Sequence, residues 1–279
     1  MKSKPVVVFI ANYLPDKQES MYRVSILYED IIREEGYKTM VIRPVSRVGN
    51  LRNIYPSLNK MVNYIDKYII FPIELIIKSW LLELKEKRVI YHITDHSNAI
   101  YNLLLFNKPK LVTCHDTLAI NSMLGKYKEN RISLSGKLLQ QCILLGLKMS
   151  TRIVCVSSNT MNDLKYLVQN ERIKITTTLQ PLNGKFFKMT KSEALLNFKN
   201  LPLASKKLLE TKFILHVGGN QWYKNRIGVC AIYAEIDYLR KNLGQSKVTL
   251  VMAGKSPTEE LVEYAKEHKN LNILFLTMP

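Results

Sequence analysis

Acidic residues are scarce in this chain. Asp and Glu number 23 against 41 Lys and Arg, which leaves a net charge of +18. Such an excess favours anionic partners such as phosphates, acidic lipid headgroups or nucleic acid, although a lysine-rich soluble surface explains it equally well. Cysteine is also sparse. Cys114, Cys142, Cys155 and Cys230 offer no CxxC spacing, so neither a zinc site nor a redox motif is indicated. Cys114 and Cys155 fall in apolar strand-like runs, where a free thiol packs as a small hydrophobe, and a reducing cytoplasm is expected. Long hydrophobic runs are missing too. The apolar run after Met1 is too short for a signal-peptide core. The most lipid-like stretch, 68–84, holds Pro72, Glu74 and Lys78 and makes a poor membrane span, so membrane contact is expected to be peripheral. There is no solenoid period and no low-complexity tract. A nucleic-acid partner is not expected: the chain lacks an RNP-like aromatic motif, zinc-finger spacing and a concentrated basic helix.

What is present is an alternation of strands and helices. With 279 residues, 47% hydrophobic and 23% charged, the chain suits a soluble protein of about two domains. Apolar β-branched runs predict strands at 6–10, 38–43, 88–93, 110–114, 152–156 and 172–178. Helical spacing predicts helices at 19–35, 59–87 (interrupted near Pro72), 98–106, 134–149 and 159–168, with Asp163 in the first turn of the last. Pro181, Asn183 and Gly184 are turn chemistry and mark a domain boundary. The organisation expected is an N-terminal domain at 1–183, a lysine-rich linker at 184–211 and a second domain at 212–279. That second domain reads as strand 213–217, helix 226–239, strand 247–252 and strand 271–276. Ser256-Pro257-Thr258-Glu259 reads as a capping box with proline at the first helical position. Alternation of this kind implies parallel, doubly wound α/β sheets, which bind ligands beyond the carboxyl ends of their strands.

The strand ends therefore hold the candidate residues. Strand 213–217 leads into Gly218-Gly219-Asn220-Gln221-Trp222-Tyr223-Lys224-Asn225 and then a helix. Two glycines allow close backbone approach, and the helix start with Lys224 suits a pyrophosphate. A plain glycine turn with a surface lysine fits the same residues, since this is neither a Walker loop nor GxGxxG. In the first domain His92, His96 and His115, with Asp95 and Asp116, fall at or near the ends of two strands. They can hold sugar hydroxyls, with His115 nearest the chemistry. Asp95, Ser97 and Asp116 are equally plausible caps. A metal site is a second reading, disfavoured by the lack of a clear ligand spacing; no metal and no cofactor is expected. Ser157-Ser158-Asn159-Thr160 reads as a helix cap, and His216 as a hydrogen-bonded core histidine. Lys126, Lys128, Arg131, Lys137 and Lys148 surround an apolar helix and could meet lipid phosphates or simply water.

Several segments taken together resemble the family 4 glycosyltransferases. They are Val112-Thr113-Cys114-His115-Asp116, then Val154-Cys155-Val156-Ser157-Ser158 leading to Asp163-Leu164, Ile214-Leu215-His216-Val217-Gly218-Gly219 leading to Lys224-Asn225, and Leu250-Val251-Met252-Ala253-Gly254. Asp95-His96-Ser97-Asn98 resembles a subset of these enzymes. The resemblance implies a GT-B fold of two Rossmann-like domains across a cleft. It implies sugar transfer from a nucleotide-sugar donor, with retention of configuration and without metal, to a glycan or lipid-linked acceptor. Lys224 resembles the phosphate-binding lysine, His115 the histidine near the transferred sugar, and Gly218 and Gly219 the donor loop that Asn220 and Asn225 complete. Asp95, His96 and Asp116 fall on the acceptor side. Apart from the resemblance, the charge excess and the lack of a membrane span lead to the expectation of a cytoplasmic protein, peripheral on the inner face of an anionic membrane.

The chain departs from the family pattern at three places. The loop Asn12 to Ser20 lacks the glycine pair that many members carry. Gly219 stands where many carry arginine, so Lys224, Arg226 or another residue must supply that charge. The paired-glutamate motif expected after the third strand of the second domain is absent, so that domain is expected to be truncated, with Ile273, Phe275 and Leu276 partly exposed. A non-catalytic remnant that binds nucleotide sugar or membrane is the alternative reading.

Overall fold

A computed structural model describes residues 4–48, 59–180, 187–197 and 211–277. The chain forms two compact units, Met1–Lys185 and Phe186–Pro279. The turn at Pro181, Asn183 and Gly184 lies outside the described residues, as does much of the expected linker. Within that linker the described part includes a helix, Lys191–Asn197, whose start is capped by reciprocal bonds between Thr190 and Glu193.

The first unit is built on a parallel sheet of six strands in the order β2-β1-β3-β4-β5-β6. These are β1 (Val6–Ile10), β2 (Thr39–Ile42), β3 (Val89–Ile93), β4 (Lys110–Cys114), β5 (Arg152–Cys155) and β6 (Lys174–Thr177). Every residue of β1 is buried, as expected of a strand covered on both faces. One sheet face, from Val8, Ile10, Tyr91, Ile93, Val112, Cys114 and Ile153, joins the helices in a single core. On the other face Tyr28, from helix α1 (Glu19–Glu34), stacks on His92 at 5.3 Å. Chain order reverses between β1 and β3, which is the switch point where such sheets bind ligands.

The interruption expected near Pro72 takes the form of a π-helical turn just before it, not of a break in the helical path. Helix α2 (Asn59–Ile65) runs through a π-helical turn, Asp66–Ile70, into α3 (Phe71–Lys85). Proline lacks an N–H and crowds the carbonyl one turn back, and a widened turn just before it relieves both problems. The same turn anchors the loop after β1: the Tyr13 hydroxyl donates to Asp66 at 2.6 Å, and Lys67 pairs with Asp16 at 2.7 Å.

Between β3 and β4 the expected α-helix is a 3-10 helix, His96–Leu103. It starts earlier than expected because Asp95 caps it, accepting from the Ser97 N–H at 2.9 Å. Helices α4 (Leu118–Met123) and α5 (Leu134–Lys148) link β4 to β5, and α6 (Ser158–Val168) links β5 to β6. Ser157 caps α6 by accepting from the Thr160 N–H at 3.1 Å. Asp163 is not in the first turn of α6. It lies mid-helix, accepting from Thr117 at 2.9 Å and Asn121 at 3.1 Å, so it bonds a neighbouring element instead of complementing a dipole.

The second unit contains a parallel sheet in the order β7-β8-β9. Its strands are β7 (Phe213–Gly218), β8 (Thr249–Gly254) and β9 (Ile273–Thr277). With the Lys191–Asn197 helix taken as α7, the connecting helices are α8 (Arg226–Asn242) and α9 (Glu259–Glu267). They pack on Leu250 and Met252 of β8, joined by Ile214, Ile273 and Phe275. On the opposite face Phe213, Leu215 and Val217 are exposed and Leu276 is half-buried; on the core side Ile273 and Phe275 are half-buried as well. The capping box read at Ser256 is displaced. Thr258 is the N-cap of α9, accepting from the Leu261 N–H at 3.4 Å, and Pro257 lies outside the helix. That frame puts Glu259 and Glu260 in the first turn, where the helix dipole favours them.

Candidate functional site

In the first unit the polar residues gather at the carboxyl ends of β1, β3 and β4. Register pairs Ile10 with Ile93, so the residues just beyond, Asn12 and Asp95, meet at the switch point. The Asn12 amide donates to Asp95 at 2.6 Å and to Gln18 at 2.5 Å, and the Asn98 amide donates to the Asn12 carbonyl at 3.1 Å. Asn12 and Gln18 lie in the loop without glycine, and sequence reasoning did not select them. Burial alone would raise the Asp95 pKa. The neighbouring His96 and hydrogen bonds from Asn12 and Ser97 outweigh it and hold the carboxyl below the usual carboxylate range. His96 Nδ1 lies 3.2 Å from Asp95, and its Nε2 is 4.0 Å from Asp116.

His115 follows β4. Its Nε2 sits 2.9 Å from the Thr94 carbonyl oxygen. A carbonyl only accepts, so Nε2 carries a proton, and in the neutral form of the ring Nδ1 keeps its lone pair. Its backbone N–H points at His96 Nδ1, 3.4 Å away. Asp116 accepts from the Leu118 N–H at 2.9 Å, which is turn chemistry at the start of α4. The structure thus brings Asp95, His96, His115 and Asp116 together. It removes His92 from the group: that side chain bonds Thr113 at 2.8 Å on the α1 face, and burial, helped by the charge of His115, pushes its pKa down to about 3. Among the described residues no cluster of three or more His, Cys, Asp or Glu could hold a metal ion.

In the second unit β7 and β8 end side by side, Gly218 opposite Gly254. The close approach falls on Gly254. Its φ is +139°, and a β-carbon there would sit 2.2 Å from the Gly218 carbonyl oxygen. Neither Gly218 nor Gly219 has a positive φ, and a β-carbon on Gly219 would meet only the end of the Gln221 side chain. A single 3-10 turn, Trp222–Lys224, brings the chain to Asn225, which takes left-handed backbone and caps α8 by accepting from the Gly228 N–H at 3.1 Å. Lys224 is exposed, its Nζ 5.4 Å from the Tyr223 ring centre.

Arg226, the first residue of α8, is only 4% exposed. Its Nη1 donates to Asn220 Oδ1 and, at 3.1 Å, to the Lys255 carbonyl, tying the loops after β7 and β8 together. Asn220 completes the tie by donating to the Ser256 carbonyl at 2.9 Å. The Arg226 Nε and Nη2 atoms are buried without a hydrogen-bond partner, and so is His216 Nε2. His216 is therefore not the hydrogen-bonded core histidine expected. Burial first, then the charges of Arg226 and Lys224, lower its pKa and keep it neutral. A buried guanidinium with two nitrogens unmet is costly, and an anion is the natural ligand for them. Nothing local in the sequence marks Arg226 as buried; the sequence offers it only as one of the cations able to supply the charge missing at Gly219.

The architecture is a GT-B fold, with Rossmann-like parallel-sheet units. It is similar to Phytolacca americana UGT2, solved in complex with UDP-2fluoro-glucose and pterostilbene, at 8% identity and TM-score 0.51, over 98% of this chain and 71% of that one. It is also similar to the alpha,alpha-trehalose 6-phosphate synthase of Burkholderia multivorans, at 10% identity and TM-score 0.54, over 99% and 72% of the two chains. Likeness at these identities speaks to the fold alone. No protein-family model matches the chain, and no curated protein matches it by sequence.

Proposed function

We propose that the chain is a glycosyltransferase of the family 4 type, moving a sugar from a nucleotide-sugar donor to a glycan or lipid-linked acceptor with retention of configuration. The observation that carries this reading is the buried Arg226 guanidinium at the start of α8, whose Nε and Nη2 have no hydrogen-bond partner, beside the exposed Lys224. The donor diphosphate is placed on the unpaired N–H groups of that helix, with Lys224 and Arg226 as its cations and Gly218, Gly219, Asn220 and Asn225 as the surrounding loop. Charge builds on the diphosphate as the glycosidic bond breaks. Fixed cations and backbone dipoles aimed there stabilise that charge without metal, which is electrostatic catalysis. In the first unit His115 Nδ1 accepts from a hydroxyl of the transferred sugar, and Asp95, His96 and Asp116 form the acceptor side. The protein works in the cytoplasm, where nucleotide sugars are available.

Titration calorimetry of the chain against a panel of nucleoside diphosphates and their sugar derivatives tests the reading. Binding is expected for a diphosphate, much weaker for the matching monophosphate, and weakened by salt. No binding of any nucleoside diphosphate up to about 1 mM, the upper end of ordinary KM values, would remove the donor site.

A further inference from the structure

The outer face of helix α3 is inverted relative to an ordinary surface helix. A helix on a soluble domain turns its apolar stripe inward and its polar residues to water. Here Phe71, Leu75 and Leu82 do face the core, but the opposite side is apolar as well. Ile69, Ile73, Ile76, Ile77, Trp80 and Leu84 recur at steps of three and four residues, and all are exposed, Trp80 by 59% and Leu84 by 67%. Contiguous exposed apolar surface of this kind marks an interaction site.

The charges around the stripe are one-sided. Each nearby carboxylate already has a cation: Glu74 pairs with Arg47 and Lys78, Glu83 with Lys108 and Glu86 with Lys38. Lys85, Lys87 and Arg88 are exposed at the end of the helix and make no ion pair among the described residues. A second stripe lies close by. Leu134, Leu138 and Leu145 of α5 are exposed, with Lys137 and Lys148 on the same helix. Both helices pack on the 3-10 helix His96–Leu103: the Phe71 and Tyr101 rings meet at 4.9 Å, and Gly146 abuts the Ala99 carbonyl. They therefore flank one element of the first unit. Among the described residues no helix is long and apolar enough to cross a membrane.

We propose that this face docks on an anionic lipid bilayer, α3 lying in the plane of the interface with Ile73, Ile77, Trp80 and Leu84 among the acyl chains. An apolar face buried at the headgroup boundary, a tryptophan within it and cations at its edge are what such a helix requires. Lysines near an acidic surface add attraction that salt weakens. The inference does not rest on glycosyl transfer, and its test uses no donor.

The full chain is mixed with vesicles of phosphatidylglycerol or of phosphatidylcholine alone, and followed by sedimentation and tryptophan emission. Sedimentation with the anionic vesicles, a blue shift of the emission and its loss in Trp80→Phe are expected; the second tryptophan, Trp222, lies in the other unit. Ile73→Glu with Ile77→Glu should lower partitioning at least about tenfold, with an unchanged melting curve, since both side chains are more than half exposed. Should that pair melt low, Leu84→Lys tests the same face with a milder change. Equal binding to neutral vesicles overturns the proposal, as does unaltered sedimentation of a folded stripe variant. A dimer that the stripe variants dissociate, with no binding to either vesicle, assigns the face to a second copy of the chain and overturns it as well.

Discussion

Gly254→Ala should unsettle the second unit and the loop its ligand would occupy. A β-carbon at Gly254 would lie 2.2 Å from the Gly218 carbonyl oxygen and 3.0 Å from its carbon, and these atoms are backbone. The ends of β7 and β8 would have to part by about 1 Å to restore a normal carbon–oxygen contact. Overpacking of that sort costs about 1–3 kcal/mol. The φ of +139° adds strain that any L side chain meets, about 1–3 kcal/mol more. The sum, about 2–6 kcal/mol, is a large part of the roughly 5–15 kcal/mol that holds a domain together. For a unit of this size it should lower the melting transition by about 10 °C or more. Gly219→Ala is the control: its φ is not positive, and its β-carbon meets only the movable end of Gln221. Scanning calorimetry of both variants separates the two. A Gly254→Ala protein melting like the wild type, or a Gly219→Ala protein falling as far, would refute the geometric argument.

Lys224→Ala removes an exposed cation that makes no ion pair among the described residues, so the melting curve should hold while nucleoside diphosphate affinity falls; a charge-assisted contact is worth about 1.5–3 kcal/mol, roughly one to two powers of ten. Calorimetric titration decides it, and unchanged affinity takes Lys224 out of the site. His115→Ala should reduce sugar turnover more than thermal stability; folded variant protein with full activity would make that histidine structural. Gly146→Ala would set a β-carbon 2.0 Å from the Ala99 carbonyl oxygen and should cost the first unit about 1–3 kcal/mol in urea unfolding. The Asp95 carboxyl has a depressed folded pKa, so its share of stability is present above the unfolded value of about 3.9 and is lost as pH falls through the folded pKa. Asp95→Asn should therefore flatten the acid limb of the stability curve, and an acid limb identical to that of the wild type would show that Asp95 contributes nothing there.

Which parts of this molecule were legible in its sequence follows from the range of the interactions that make them. Val6–Ile10 reads as a buried strand because every position is apolar, and each is buried. Ser157 reads as a cap because the N–H it satisfies, that of Thr160, is three residues on. Signals of that range fail when two frames compete: Ser256 and Thr258 both offer a hydroxyl ahead of an acidic first turn, and only the folded chain shows Thr258 bonding Leu261. The site divides along the same line. Asp95, His96, His115 and Asp116 were visible because strand ends are readable and ligands bind beyond them. Asn12 was not, since its meaning comes from Asp95, 83 residues away. Arg226 was visible only as one of several cations able to supply the charge missing at Gly219; its burial and its bonds to Asn220 and the Lys255 carbonyl show only in the fold. The apolar stripe of α3 failed in the opposite direction. Its residues were plain in the sequence, but an isoleucine at helical spacing reads alike whether it faces core or water, and only the fold shows that α3 is apolar on both sides. A long-range contact or a direction of exposure decides each of these cases, and neither is encoded within a few residues of the side chain it governs.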